Sequence, residues 1–162
     1  MQDKTAFVLI VKKNEGLIYK ITRVYTDTQE DQKDLYQEIV YQLWKSFDSF
    51  KGNSKISTWI YRIALNTAIG YLNKSKKKVS QVSLDFELLN PADESDTVTE
   101  ERLAILYNMI KQLNIIEKGL ILLLLEGKSY DEIAVITGFS SSNVGTRLSR
   151  IKKKLKENIK NI

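Results

Sequence analysis

Cysteine and histidine are both absent from the 162 residues. Their absence removes disulfides, thiolate nucleophiles, Cys/His zinc sites and imidazole acid–base catalysis together, leaving only carboxylates, lysine, tyrosine or serine for any chemistry. The sequence shows no converging acid–base pair, so a small helical enzyme working through carboxylates is a weak reading, and neither a metal nor a cofactor is expected. Proline occurs once, at Pro91, and glycine seven times. With the two strongest breakers so scarce, long stretches with apolar residues three and four apart read as helices. Long hydrophobic runs are missing too: Leu120 to Leu125 is far shorter than the roughly 20 residues a bilayer-crossing helix needs. Met1-Gln2-Asp3-Lys4 lacks a basic region leading into an apolar core. No signal peptide and no membrane insertion are therefore expected, and the default location is cytoplasmic.

Hydrophobic residues make up 43% of the chain, enough for a folded core. Lys and Arg number 25 against 20 Asp and Glu. The resulting +5 is a mild pointer to a polyanionic partner, and its distribution says more than its size. The segment Val79 to Val98 holds Pro91 together with Asp85, Glu87, Asp93, Glu94 and Asp96, and has few periodic apolar positions. It reads as an acidic linker, residues 79–98, between helical domains at 1–78 and 99–162. A long loop within one domain is the alternative, less favoured because structureless loops of this length are uncommon in compact domains. Basic runs end both domains: Lys74, Lys76, Lys77 and Lys78 before the linker, then Arg147, Arg150, Lys152, Lys153, Lys154, Lys156 and Lys160. This pattern suits a protein touching one polyanion at two places, although cations at helix C-termini are also favoured by the helix dipole. The fold class expected is all-α: two small helical domains joined by an acidic flexible linker, the C-terminal one containing a helix-turn-helix.

The helix-turn-helix is read from residues 129–155. Ser129-Tyr130-Asp131-Glu132 has capping-box spacing. A short helix carrying Ile133, Ala134 and Ile136 follows and ends at Gly138, a residue suited to the left-handed position after a helix. Phe139 and Ser140 to Ser142 make the turn, one serine capping the next helix. That helix aligns Val144, Leu148, Ile151 and Leu155 on one stripe. Its remaining face carries Ser142, Asn143, Thr146, Arg147, Ser149, Arg150, Lys153 and Lys154. Short hydrogen-bonding groups come first and cations later, the order wanted by a helix entering the major groove N-terminus first. Upstream, Glu101 to Leu125 reads as a further helical region with Leu103, Leu106, Ile110 and Leu113 in helical register and Leu120 to Leu125 as a buried central helix.

In the first half, Leu35, Ile39 and Leu43, with Val40 and Trp44 beside them, form the apolar side of a helix from Asp31. Phe47 to Lys55 is rich in turn formers, and a further helix from Ile56 carries a stripe of Ile56, Trp59, Ile60, Ile63 and Ala64. The succession Asp34-Leu35-Tyr36-Gln37-Glu38, Leu43-Trp44, Phe50-Lys51-Gly52-Asn53-Ser54 and Thr58-Trp59-Ile60-Tyr61-Arg62-Ile63-Ala64-Leu65-Asn66-Thr67 resembles region 2 of the extracytoplasmic-function (ECF) sigma factors of bacterial RNA polymerase. Gly127-Lys128-Ser129-Tyr130-Asp131-Glu132-Ile133-Ala134 and the helix from Val144 to Leu155 resemble region 4 of the same family.

The resemblance implies a sigma factor that directs core RNA polymerase to promoter DNA and assists its melting, with no enzymatic activity of its own and with an anti-sigma factor as regulator. Residue by residue, it implies polymerase binding by Asp34, Gln37, Glu38, Tyr41 and Gln42. Phe50, Lys51, Gly52, Asn53, Ser54 and Lys55 correspond to the loop receiving a flipped base at the minus-ten element, with Arg62, Asn66, Lys74, Lys76 and Lys77 tracking the same region. Ser142, Asn143, Thr146, Arg147, Arg150, Lys153 and Lys154 would read the minus-thirty-five element as duplex. The sequence departs from the family pattern at Gly70, often acidic, at Asn73, often arginine, and at Gly145, usually basic. The residues alone leave a second reading open, a stand-alone helix-turn-helix regulator that does not engage polymerase.

Overall fold

The structure is a computed structural model that describes residues 3–77 and 97–160, with backbone alone at 75–77. The chain divides into two compact units, Met1–Phe86 and Glu87–Ile162. Among the described residues every regular element is helical: α1 (Lys4–Lys13), α2 (Glu15–Tyr25), α3 (Gln29–Ser46), a 3₁₀ turn (Phe47–Ser49), α4 (Ile56–Lys77), α5 (Thr97–Lys111), α6 (Ile115–Leu125), α7 (Tyr130–Thr137) and α8 (Ser141–Lys160). The all-α reading is correct. The expected acidic linker lies outside the described residues except at Thr97 and Val98, which already form the first turn of α5.

In the first unit α2, α3 and α4 pack on one another and α1 lies against α2. Side chains start two of these helices. The Asp3 carboxylate accepts from the Thr5 and Ala6 N–H groups at 3.0 and 3.2 Å, and the Thr28 hydroxyl accepts from the Asp31 N–H at 3.0 Å. The sequence reading assigned nothing to residues 5–30, yet α2 supplies much of the core: Ile18, Ile21, Val24 and Tyr25 are buried. Buried polar groups accompany them. Gln32 on α3 donates to the Thr22 hydroxyl at 3.2 Å, and that hydroxyl donates to the Tyr19 carbonyl at 2.7 Å, so the amide and hydroxyl are satisfied where water does not reach. On α3 the expected Leu35, Ile39 and Leu43 are buried. On α4 the expected stripe is rotated: Ile60 and Ala64 are buried, but Tyr61, Leu65 and Ala68 complete the core while Ile56, Trp59 and Ile63 are only half-buried. The rotation follows from α4 lying against two helices, α2 and α3, which widens its buried arc toward residues a single stripe leaves out.

In the second unit the helical region 101–125 comprises two helices, α5 and α6. Asn114 breaks it with a capping box: its side chain accepts from the Glu117 N–H at 2.8 Å and Glu117 accepts from the Asn114 N–H at 3.1 Å. The core comprises Met109, Ile110 and Leu113, then Leu120 to Leu123, Ile133, Ile136, Val144, Leu148 and Ile151. Leu103 and Leu125, both expected inside, are exposed. Leu103 lies in the part of α5 ahead of its buried end at Met109–Ile110, and Leu125 is the last residue of α6. The Ser129–Glu132 capping box forms as expected, at 3.1 and 3.3 Å. Gly138 sits at φ +84° and donates to the Ala134 carbonyl at 2.8 Å, ending α7. Ser140 proves to be the capping serine, accepting from the Asn143 N–H at 3.1 Å.

Two glycines separate conformational need from mere presence. Gly70 is exposed in the middle of α4, and a Cβ there would meet nothing within 4 Å. Gly70→Ala should raise stability by about 1 kcal/mol, since alanine loses less backbone entropy in a helix. At Gly138 the positive φ reverses the sign, and Gly138→Ala should lower stability by about 1 kcal/mol or more. Urea titration of both variants, followed by circular dichroism, tests the opposed signs.

Candidate nucleic-acid interface

The helix surface assigned to polymerase forms one wall of a groove. Asp34, Gln37, Glu38, Tyr41 and Gln42 of α3 face Asn66, Thr67, Gly70, Tyr71 and Lys74 of α4 across an opening of about 760 Å³. The Gln42 amide donates to Glu38 at 3.0 Å, ordering part of that wall. At one end the Tyr71 hydroxyl donates to the Asp31 carboxylate at 3.2 Å and ties the two helices together. Burial and the Asp31 carboxylate, assisted by Asp34 and Glu30, push the Tyr71 hydroxyl up to about 12, so it remains a donor well into alkali. Two residues assigned to DNA, Asn66 and Lys74, thus share a groove with all five assigned to polymerase.

Along α4, Arg62, Asn66, Gly70 and Lys74 recur every fourth residue and are all exposed. The absence of a side chain at Gly70 leaves the row open midway. Lys76 and Lys77 continue the helix, their side chains outside the described residues, and Lys78 lies beyond them.

The loop between the 3₁₀ turn and α4 is positioned by a chain of aromatic rings. Phe7 of α1 meets Trp44 of α3 edge-on at 5.0 Å and Phe47 at 5.3 Å. Phe47 in turn lies 6.3 Å from Trp59, and Trp59 lies 5.1 Å from Phe50. Phe50 is therefore the inner foot of the loop, half-buried on Trp59, while Lys51, Gly52, Asn53, Ser54 and Lys55 are exposed. Gly52 adopts φ +74°, which favours glycine at the tip. Beside the groove's α3 wall, Phe7, Val8, Tyr36, Val40, Tyr41 and Trp44 line an almost wholly apolar depression. It escaped the sequence reading, which placed no helix ahead of α3.

On α8 the expected DNA-reading residues fall into two groups. Ser142, Thr146, Arg150, Lys153 and Lys154 are exposed, whereas Val144, Leu148 and Ile151 are buried. Asn143 and Arg147 are half-buried, and Arg147 donates through Nε to the Asn143 side chain at 3.1 Å while its guanidinium lies 4.5 Å over the Phe139 ring. Lys154 is paired with Glu117 at 2.8 Å, fastening α8 to the start of α6. Ser141 donates to Asp131 and links α8 to α7. At Gly145 a Cβ would touch the Tyr130 ring of α7 at 3.4 Å, so a side chain there would start against that ring. Asn114-x-x-Glu117 was a readable capping signal that the sequence reading passed over. Nothing linear could announce that Glu117 would meet Lys154, 37 residues away.

Burial alone would raise the Glu117 carboxyl, but the hydrogen bond from Lys154, the Asn114 N–H and the charges of Lys154 and Arg147 outweigh it and hold the group below the usual carboxylate range. A depressed folded value contributes stability above the ordinary value, and that contribution is lost as pH falls through the folded one. The thermal midpoint of the second unit should thus drop on acidification below the usual carboxylate range, and Glu117→Gln should flatten that portion of the profile. Parallel profiles for the variant and the original would remove this pair from the account.

Comparison with known proteins places the two parts of the chain in one family. Residues 10–78 match the family model for Sigma-70 region 2, and residues 103–155 match that for Sigma-70, region 4. The ECF RNA polymerase sigma-E factor of Escherichia coli is 30% identical over 91% of this chain and 83% of its own length. That of Haemophilus influenzae is 28% identical over 97% and 89%. Among solved structures, the sigma factor RpoE of Bartonella quintana, bound to the anti-sigma factor NepR, matches 97% of this chain and 96% of its own with a TM-score of 0.75 at 20% identity. CnrH, in complex with the cytosolic domain of CnrY, matches with a TM-score of 0.72 at 19% identity over 98% of this chain and 90% of its own. At those identities the structures speak for the fold, and the sigma-E relatives, together with two region models matched in tandem, speak for the family. The chain belongs to the extracytoplasmic-function sigma factors of RNA polymerase.

Proposed function

We propose that this sigma factor divides promoter selection among three surfaces and performs no chemistry itself. The α3 wall, Asp34, Gln37, Glu38, Tyr41 and Gln42, docks on core polymerase. The loop Lys51 to Lys55 and the row Arg62, Asn66 and Lys74 engage the opened minus-ten region, with Lys76 and Lys77 extending the row and Phe50 acting as the loop's anchor. The outer face of α8 reads duplex at the minus-thirty-five element. The observation that carries this reading is the aromatic chain from Phe7 to Phe50, because it anchors a small, polar, exposed loop on the same helix, α4, that carries the row of Arg62, Asn66 and Lys74. Separating a base from its stack and partner costs a few kcal/mol, roughly, and a preformed receiver offsets that cost without ordering a loop at the same time.

The stand-alone regulator is disfavoured because a region 2 match accompanies the region 4 match. The proposed partners are core RNA polymerase, promoter DNA and an anti-sigma factor, the last by likeness to RpoE, which was solved with one. No described helix is long and apolar enough to cross a membrane, and the proposed place of action is the cytoplasm, where polymerase works.

Run-off transcription with purified core polymerase and fragments of the source genome tests the reading. Specific transcripts should appear only when the chain is present, and failure to bind core enzyme would sink it. Arg62→Ala with Asn66→Ala should slow initiation on closed duplex at least tenfold (about 1.4 kcal/mol) and recover on a template already unpaired at minus ten. Arg150→Ala with Lys153→Ala should lower the dependence of log affinity on log salt by about 2, one per phosphate contact, with core binding unchanged.

A further inference from the structure

Within the helix-turn-helix, Phe139 has no DNA-reading role by type: it carries no hydrogen-bonding side-chain group, and it stands in the turn immediately before the α8 cap, Ser140. Its ring nevertheless lies 4.5 Å beneath the guanidinium of Arg147, two helical turns further on. The Asn143 side-chain oxygen Oδ1 also accepts from Arg147 Nε at 3.1 Å. An arginine on an exposed helix surface ordinarily samples many rotamers, and ordering it on contact with DNA has an entropic cost. Here the planar group is held twice before any ligand arrives, once by the negative face of an aromatic ring and once by a hydrogen bond that uses Nε alone. Nε is the one guanidinium nitrogen not needed for a two-pronged contact through the terminal nitrogens, whether to guanine O6 and N7 or to a phosphate.

We propose that Phe139 is a positioning residue for duplex recognition: its ring, with Asn143, presets the Arg147 guanidinium for a two-pronged contact with the promoter duplex. The inference rests on the reading of α8 as the duplex-facing helix. It separates Arg147 from Arg150 and Lys153, which are exposed and whose attraction to phosphate needs no preset pose. It also gives Asn143, half-buried and engaged with Arg147, a role in holding the reader instead of touching a base.

The test uses holoenzyme, this chain with core polymerase, and a duplex selected by that holoenzyme from a randomised pool, measured against a scrambled duplex. Phe139→Leu keeps an apolar side chain but removes the ring. It should reduce the preference for the selected over the scrambled duplex by about threefold to fivefold, with the salt dependence unchanged because no charge is lost. Phe139→Tyr and Phe139→Trp should restore the preference, which a role in packing alone would not bring about for the bulkier tryptophan. Arg147→Lys, which keeps the charge but has neither the planar group nor Nε, should lose as much as Phe139→Leu, and combining the two should lose little more. If Phe139→Leu lowers the melting temperature, pentafluorophenylalanine placed at 139 keeps shape and hydrophobicity while reversing the ring's electrostatic face, and it should lose the preference at unchanged melting temperature. A wild-type preference that survives both ring changes overturns the positioning role and leaves the duplex reading standing. A wild-type holoenzyme with no preference that depends on α8 overturns the duplex reading itself.

Discussion

A short helix in water does not hold its shape alone, and the shorter helices of this protein depend on that constraint being met by packing. Nucleating the first turn fixes several dihedral angles for one hydrogen bond, so isolated helices below roughly a dozen residues are marginal. Helix α7 has eight residues and α1 has ten. Magnitudes show what sustains them. A capping box contributes about 1 kcal/mol, whereas burying an isoleucine contributes about 1.5–3 kcal/mol, and α7 buries both Ile133 and Ile136. Burial therefore decides that the helix exists. The Ser129–Glu132 box and the left-handed Gly138 decide where it starts and stops, and so where α8 begins.

The same constraint explains why the loop ahead of α4 in the first unit is anchored by rings. Between the 3₁₀ turn and α4, residues 50–55 form no regular element and have few ladder hydrogen bonds to hold them. Aromatic edge-to-face and tilted contacts supply the missing restraint, running from α1 through α3 and the turn to Trp59 and Phe50. Trp59, half-buried, meets Phe47 and Phe50 and so joins the turn to the foot of the loop. The loop can then present glycine, asparagine and serine without hydrophobic residues at its tip.

Charge on α8 is sorted by partner more than by position. Seven cations lie between Arg147 and Lys160, and the sequence grouped four of them, Arg147, Arg150, Lys153 and Lys154, on one face. The fold pairs Lys154, still exposed, with Glu117 and places Arg147 on Phe139, while Arg150 and Lys153 are exposed. Electrostatic attraction to a polyanion and cohesion of the second unit thus draw on the same helix through different side chains.

The sequence by itself determined a good deal. Apolar spacing located α3, α4 and α8, the scarcity of breakers made the fold all-α, and local signals located the ends of α7 and the serine cap of α8. All of these depend on neighbours within four residues, which is the range over which a helix correlates its own side chains. The order of motifs also pointed to the family. What only the tertiary structure decided is everything set by packing between helices. This includes the burial of α2 and its Gln32–Thr22 pair, the turn of α4 toward Tyr61 and Leu65, and the shared groove of Asp34 to Gln42 with Asn66 and Lys74. It also includes the pairing of Lys154 with Glu117. Periodicity marks a face as apolar or polar, but which neighbour covers that face depends on contacts between residues distant in the chain, and those form only when the helices meet.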